Sequence, residues 1–169
     1  LDSPDPAASS TASKMVFLFN SNSTTGDTYY FDNFDSYKDQ ATPPDVPFVY
    51  GSSLENFDAN ALIAFNNSTG VLTDNFANPL PSSSVNSTPL VGKYVRNGGS
   101  AYDVLFYDVN TTINGDDFKN GVKKFYMDVY SPTAPAGTEI IWQLETSAAT
   151  VGNYPVGRHS RYSATLPNN

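Results

Sequence analysis

The chain has 169 residues, a length that fits one domain, and its formal net charge is −8. This charge disfavours nucleic acid and anionic membrane as partners, because phosphate groups bind basic surfaces. The absence of Cys excludes a disulfide framework and a thiolate metal site, and no apolar run is long enough to predict a transmembrane helix.

The front of the chain predicts a β-hairpin. The apolar run Lys14–Asn20 is typical of a buried strand, and Thr28–Phe34 (TYYFDNF) predicts a second one. The sequence SNSTTGD between them has turn chemistry. We therefore interpret residues 1–34 as a strand hairpin that belongs to the end of a sandwich module. A Pro-rich linker is expected at 35–52 and the main module at 53–169.

The middle of the chain has weaker signals. Ser53–Phe65 shows little periodicity and predicts no helix, and Asn66–Pro89 predicts mostly loop because it has few apolar anchors. Strands are expected at Val91–Arg96 and Tyr102–Val109, on either side of an NGGS turn. Asn114–Lys119 predicts a turn or a short helical turn.

Two runs of alternating apolar and polar residues follow. Phe125–Tyr130 and Glu139–Glu145 predict half-buried strands, and the sequence SPTAPAG between them predicts a loop. One more strand is expected at Tyr162–Leu166. The many short strands between turn signals favour an all-β protein built as an antiparallel β-sandwich.

Arginine and histidine are scarce in this chain and cluster near its end, where the run GRHSRY holds two of the three arginines and the single histidine. The strand Glu139–Glu145 presents amide and carboxylate groups on the face opposite its core side, because successive strand residues face opposite sides. Rings stack on sugars and polar groups fix the hydroxyls, so this set predicts a carbohydrate site. The candidate residues are Tyr107 or Tyr126 as a stacking platform, with Gln143, Glu145, Arg158, His159 and Arg161. The alternative is a structural Arg–Glu network that pins a loop.

Catalytic motifs do not accompany these residues. The sequence has no G-x-S-x-G, no H-E-x-x-H and no phosphate-binding loop, and one His cannot form a multi-His metal site. Carboxylates such as Asp128 and Glu145 are the groups that glycosidases use, but their spacing does not select them over other acids. The chain is therefore predicted not to be an enzyme.

Several segments of the chain carry a family resemblance: YYFDNF, KYVRNG with YDVLFYD, FYMDVYSPTAPAGTEIIWQLE and NYPVGRHSRY. Together they resemble a carbohydrate-binding module of the galactose-binding-like β-sandwich type, as appended to bacterial laminarinases and related marine β-glucanases. The resemblance leaves out Asp35–Tyr50, and WQLE followed by GRHSRY is its most specific part. It implies a jelly-roll sandwich that binds a polysaccharide such as laminarin. A secreted or cell-surface location is expected, also from the low charged fraction of 15%.

The resemblance also implies one structural Ca²⁺, since related sandwiches often carry an ion where an early acidic residue meets the last strand. Asp32, Glu55 and Asp58 are the candidate ligands, because Ca²⁺ prefers hard oxygen ligands. The alternative is that these acids only cap turns.

The order of the segments differs from that of the resembled family. KMVFLF and TYYFDNF stand at the front of this chain, whereas in the family they follow a GRHSRY-like run and a Trp-bearing strand. One interpretation is that Met15–Phe34 completes the sandwich of a neighbouring copy. The protein would then be a subunit of an extracellular assembly or filament built by strand exchange. The other interpretation is a self-contained permuted fold.

Overall fold

The computed structural model describes residues 5, 7–38, 52–57, 62–150 and 152–167. Within these residues the chain forms ten strands and one short helix. In chain order they are β1 (Thr11–Phe19), β2 (Thr28–Lys38), β3 (Ser52–Glu55), β4 (Ile63–Ser68), β5 (Val71–Ala77), β6 (Leu90–Val95), β7 (Leu105–Asn114), α1 (Gly115–Lys119), β8 (Lys123–Tyr130), β9 (Glu139–Glu145) and β10 (Arg158–Thr165).

The strands form two sheets, and every pairing between the described strands is antiparallel. Sheet A has the order β10-β9-β1-β7-β4. Sheet B has the order β3-β2-β6-β5. The strand β8 also pairs with β2, along the edge of β2 opposite the one that pairs with β3 and β6. The prediction of an all-β antiparallel sandwich is confirmed, because the inner faces of both sheets contribute to one core.

Aromatic side chains of β1 and β2 form the centre of this core. Phe17 and Phe19 of sheet A, and Tyr29 and Phe34 of sheet B, are at most 1% exposed. The Phe17 and Phe34 rings meet edge to face at 5.0 Å, and the Phe19 and Tyr29 rings stack at 4.7 Å. Burial of one such ring contributes roughly 1.5–3 kcal/mol, so these positions fix which face of each strand points inward.

The first two strands do not form the predicted hairpin. β1 lies in sheet A between β7 and β9, whereas β2 lies in sheet B beside β3, β6 and β8. Turn chemistry is compatible with a crossing between sheets, and burial of the β1 and β2 aromatic rings against each other favours the crossing. Both strands pair within their own chain and lie inside the sheets formed by the rest of it, as the self-contained alternative requires. Strand exchange between copies stays a prediction.

Several predicted boundaries are corrected. β2 continues to Lys38 and β3 begins at Ser52, so both ends of the expected linker are strand, while residues 39–51 lie outside the described residues. The expected loop Asn66–Pro89 contains the end of β4 and all of β5. The β5 side chains are mostly exposed, which explains why they produce no apolar signal.

The short helical turn is confirmed as α1, which Asn114 caps by accepting a hydrogen bond from the Asp116 backbone N–H. With five residues, the helix in the described part of the chain is too short to cross a membrane.

Candidate functional site

Alternating charges form a row across four strands on the outer face of sheet A. Arg158 of β10 lies opposite Glu145 of β9, which also lies opposite Lys14 of β1. Lys14 in turn lies opposite Asp108 of β7. Residues in direct register share a face of the sheet, and opposite charges at such positions stabilise the strand pairing. The row therefore offers both donors and acceptors and carries no net formal charge.

A second row, without alternating charge, runs beside the first. Gln143 of β9 lies between Arg161 of β10 and Val16 of β1. Val16 also lies opposite Phe106 of β7, which lies opposite Asn67 of β4. Val16 is only 2% exposed although it points outward, so the longer side chains around it shield it from water. This row places an aromatic ring and two amides next to the charged row.

A shallow groove of about 190 Å³ lies along these two rows. Besides Ala149 and Thr150 of the loop before β10, its lining consists of Lys14, Asn66, Asn67, Phe106, Asp108, Glu145 and Arg158. Asn66 Nδ2 donates to Asp108 Oδ2 at 2.6 Å, and Lys14 Nζ donates to the Ala149 carbonyl at 3.1 Å. These contacts hold the polar side chains of the groove in place before any ligand arrives.

Arg158 fixes the loop that forms one wall of the groove. Its Nη1 donates to Asn153 Oδ1 at 2.6 Å and to the Val156 carbonyl at 2.8 Å. Its Nη2 donates to the Thr150 carbonyl at 3.0 Å, and its Nε lies 3.1 Å from Glu145 Oε1. The Arg–Glu network that pins a loop, considered above as an alternative, is therefore present. Arg158 and Glu145 contribute mainly to the shape of the groove.

Gln143 and Arg161 lie on the same face, as predicted. Gln143 Nε2 donates to Glu145 Oε1 at 2.6 Å. Arg161 Nη2 lies 4.0 Å from Glu139 Oε2, and its side chain is 28% exposed. The structure thus brings Gln143, Glu145, Arg158 and Arg161 together at or beside the groove.

His159 belongs to the interior instead of the groove. The register of β10 shifts between Arg158 and Ser160, so the simple alternation of faces does not hold at this position. The His159 residue is 4% exposed, its Nδ1 lies 2.9 Å from Ser160 Oγ, and its Nε2 lies 3.1 Å from Asp116 Oδ1 of α1. The ring connects α1 to β10, and its expected place on the polar face is corrected.

Neither predicted stacking platform lines the groove. Tyr107 is 2% exposed and its ring packs edge-on against Phe17 at 5.9 Å, and this burial raises the pKa of its phenol. Tyr126 lies on β8 of sheet B, where its hydroxyl donates to Asp128. The aromatic side chain in the groove is Phe106, the neighbour of Tyr107 on the opposite face of β7. The sequence does not indicate which side chains of β7 face outward, because the pairing of β7 with β1 and β4 determines it.

The predicted calcium ligands are described only in part. Asp32 of β2 is 0% exposed, Glu55 lies on β3, and Asp58 is outside the described residues. Burial raises the pKa of Glu55, and the charges of Asp74 and Asp32 raise it further, against hydrogen bonds from the backbone that lower it. Within the described part of the chain, no group of three or more His, Cys, Asp or Glu is arranged to hold a metal ion. The calcium site stays a prediction.

Comparison of the chain with protein-family models, with curated proteins and with solved structures finds no match. The resemblance to galactose-binding-like modules therefore stays an expectation from the sequence.

Proposed function

We propose that this protein is a non-catalytic carbohydrate-binding module that holds a polysaccharide, most simply a β-glucan such as laminarin, in the groove of sheet A. The observation that carries the proposal is the row of alternating charges beside a row of amide and aromatic side chains. A sugar ring is complementary to this surface, because the hydroxyls at its edge can pair with the charged and amide groups and its apolar faces can contact the aromatic ring.

Each part of the groove has a partner in such a ligand. Sugar hydroxyls both donate and accept, so Asp108 can accept from one hydroxyl while Lys14 donates to another. The amide of Asn67 offers both functions, and its side chain is exposed. Phe106 provides a ring face for the C–H groups of the sugar. A shallow groove on a sheet face can hold part of a long chain and leave the rest in solvent.

The arrangement of carboxylates agrees with binding without catalysis. Asp128 and Glu145, the pair considered for glycosidase chemistry, lie on β8 of sheet B and β9 of sheet A. Glu145 is 3% exposed and ion-paired with Arg158, so it is poorly placed to exchange a proton with a substrate.

Affinity electrophoresis in laminarin gels tests the proposal with a matched pair of β7 variants. We expect Phe106→Ala to bind about tenfold more weakly, because a lost stacking contact of about 1.4 kcal/mol corresponds to that factor. Asn110→Ala, an exposed position on the same strand, should bind as the unchanged protein does. The proposal fails if the unchanged protein is not retarded, or if both variants bind equally well while remaining folded by thermal unfolding.

Assembly by strand exchange is a second candidate function, and a different observation favours it. Among the described strands, β8 pairs with β2 alone, and an apolar cleft of about 220 Å³ lies between β8 and sheet A. The cleft is lined by side chains that include Met127, Val129 and Trp142. A strand edge beside such a cleft can accept a strand from a second copy. Light scattering across a concentration series decides: a monomer at every concentration excludes assembly, and Met127→Lys should dissociate any oligomer.

A further inference from the structure

A larger cavity, of about 310 Å³, lies on the outer face of sheet B, opposite the groove of sheet A. Tyr30 of β2 and Tyr130 of β8 lie in register on one wall, with ring centroids 6.0 Å apart and planes inclined by 23°. The segment between β5 and β6 contributes Leu80 and Val85, which are 43% and 66% exposed. The cavity is therefore bounded by two aromatic rings and by apolar side chains that solvent can reach.

Paired carboxylates line the same cavity. Asp128, 6% exposed, lies directly opposite Asp32, which is 0% exposed. Among the described residues, the groups that donate to Asp128 are neutral: Asn33 Nδ2 at 2.8 Å, Asn86 Nδ2 at 3.2 Å and the Tyr126 hydroxyl. Like charges directly opposite each other on neighbouring strands destabilise the pairing. A positive charge near Asp128 would reduce this repulsion.

We propose that this cavity binds an organic ammonium ion, a primary amine attached to an apolar body. The ammonium group donates to the Asp128 carboxylate in a charge-assisted hydrogen bond. The faces of Tyr30 and Tyr130 attract the same cation, and the apolar body contacts Leu80 and Val85. The net charge of −8 increases the local concentration of cations around the protein.

Other ligand classes fit this cavity less well. An anion would add to the repulsion between Asp32 and Asp128, and a neutral sugar would leave that repulsion unchanged. The cationic side chain opposite Tyr30 in register is Lys93, whose Nζ lies 4.6 Å from the centroid of the Phe76 ring. Neither Lys93 nor Phe76 lines the cavity.

Calorimetric titration with two isosteric probes tests the proposal: cyclohexylmethylammonium chloride and the neutral cyclohexylmethanol, at pH 7 and low salt. We expect the ammonium probe to bind at least tenfold more tightly than the alcohol. Asp128→Asn should reduce the affinity for the ammonium probe to that for the alcohol. Asp117→Asn is the matched control on α1, where the carboxylate pairs with Lys123, and it should change neither affinity.

The proposal is overturned if the ammonium probe does not bind or if the two probes bind equally. It is also overturned if Asp117→Asn reduces the affinity for the ammonium probe as much as Asp128→Asn does. Should Asp128→Asn fail to fold, Leu80→Ala replaces it, since Leu80 is an exposed wall residue. It should weaken both probes several-fold, and unchanged affinities would contradict the site. Because Asp128 lies outside the groove of sheet A, Asp128→Asn should still bind laminarin. A failure of glycan binding and a failure of this proposal can therefore be told apart.

Discussion

The outer faces of the two sheets have the same architecture but opposite electrostatic arrangements. On sheet A, register places Glu145 between Arg158 and Lys14, so each charge faces its opposite. On sheet B, register places Asp32 opposite Asp128, so like charges face each other, and the described groups that donate to Asp128 are neutral. The balanced face suits a neutral hydroxylated ligand, and the unbalanced face suits a cation. Strand register, which composition does not reveal, decides this difference.

The largest expected effect comes from breaking the balance on sheet A. Arg158→Ala removes one partner of a nearly buried ion pair together with the hydrogen bonds that hold the loop before β10. Losses of about 3–5 kcal/mol are usual when a buried pair is broken in this way. Urea unfolding measures this change. Arg161→Ala, whose guanidinium is farther from its carboxylate partner and more exposed, should cost less than about 1 kcal/mol. Equal losses of unfolding free energy for the two variants would contradict the view that the Arg158–Glu145 pair stabilises this face of sheet A.

A smaller loss is expected where β10 turns inward. A Cβ on Gly115 would lie 2.6 Å from two atoms of the His159 ring, so Gly115→Ala must displace the ring. Overpacking of this kind costs about 1–3 kcal/mol. Thermal unfolding provides the measurement, and Lys119→Ala at the exposed end of the same helix should change stability by less than about 0.5 kcal/mol. Unchanged stability of Gly115→Ala would mean that His159 is not confined as described.

The sequence predicted the strands with clear alternation and the sandwich that they form, because burial of every second side chain leaves a readable pattern. It did not predict β5, since mostly exposed strand residues such as those of Val71–Ala77 produce no such pattern. It also assigned a hairpin where the chain crosses between the sheets, because the turn residues near Ser21 are compatible with either path.

The candidate groove could be predicted only where its residues lie close together in the sequence. Gln143, Glu145, Arg158 and Arg161 belong to one predicted strand and the run just after the next loop. Lys14 and Phe106 were missed, because they reach the groove only when β1 inserts between β9 and β7. That insertion depends on long-range pairing, which has no local signal.

Calcium, if it binds at the acidic residues of sheet B, should raise the stability of the protein. If Asp32, Glu55 and Asp58 bind the ion, calcium at tenfold excess over its Kd should stabilise the protein by about 1.4 kcal/mol. This corresponds to a rise in Tm of roughly 3–5 °C for a domain of this size. Thermal scans with CaCl₂ and with EDTA measure the effect, and Asp32→Asn should abolish it. Identical Tm values in both buffers would exclude a structural calcium site.

The smallest expected effect on stability is the pH dependence that arises from Glu55, whose pKa the charge of Asp32 helps to raise. Burial, the main cause, raises its pKa in the folded state above the unfolded value. The resulting stability is fully present below the unfolded pKa and is lost as the pH rises through the folded pKa. Glu55→Gln should therefore be more stable than the unchanged protein at pH 7, by less than about 1 kcal/mol because solvent screens this half-buried group. The difference should vanish at low pH, and urea unfolding at pH 3.5 and 7 would reveal the opposite trend if the sign is wrong.

A titration of the ¹⁵N-labelled protein with laminarin oligosaccharides, followed by NMR, tests the central claim most directly because it reports on both faces in one experiment. The account predicts that the backbone amide shifts concentrate at Lys14, Asn67, Phe106 and Gln143 on sheet A, while those of Tyr30 and Asp128 on sheet B stay unchanged. Shifts concentrated at Tyr30 and Asp128, or no shifts at saturating oligosaccharide, would contradict it.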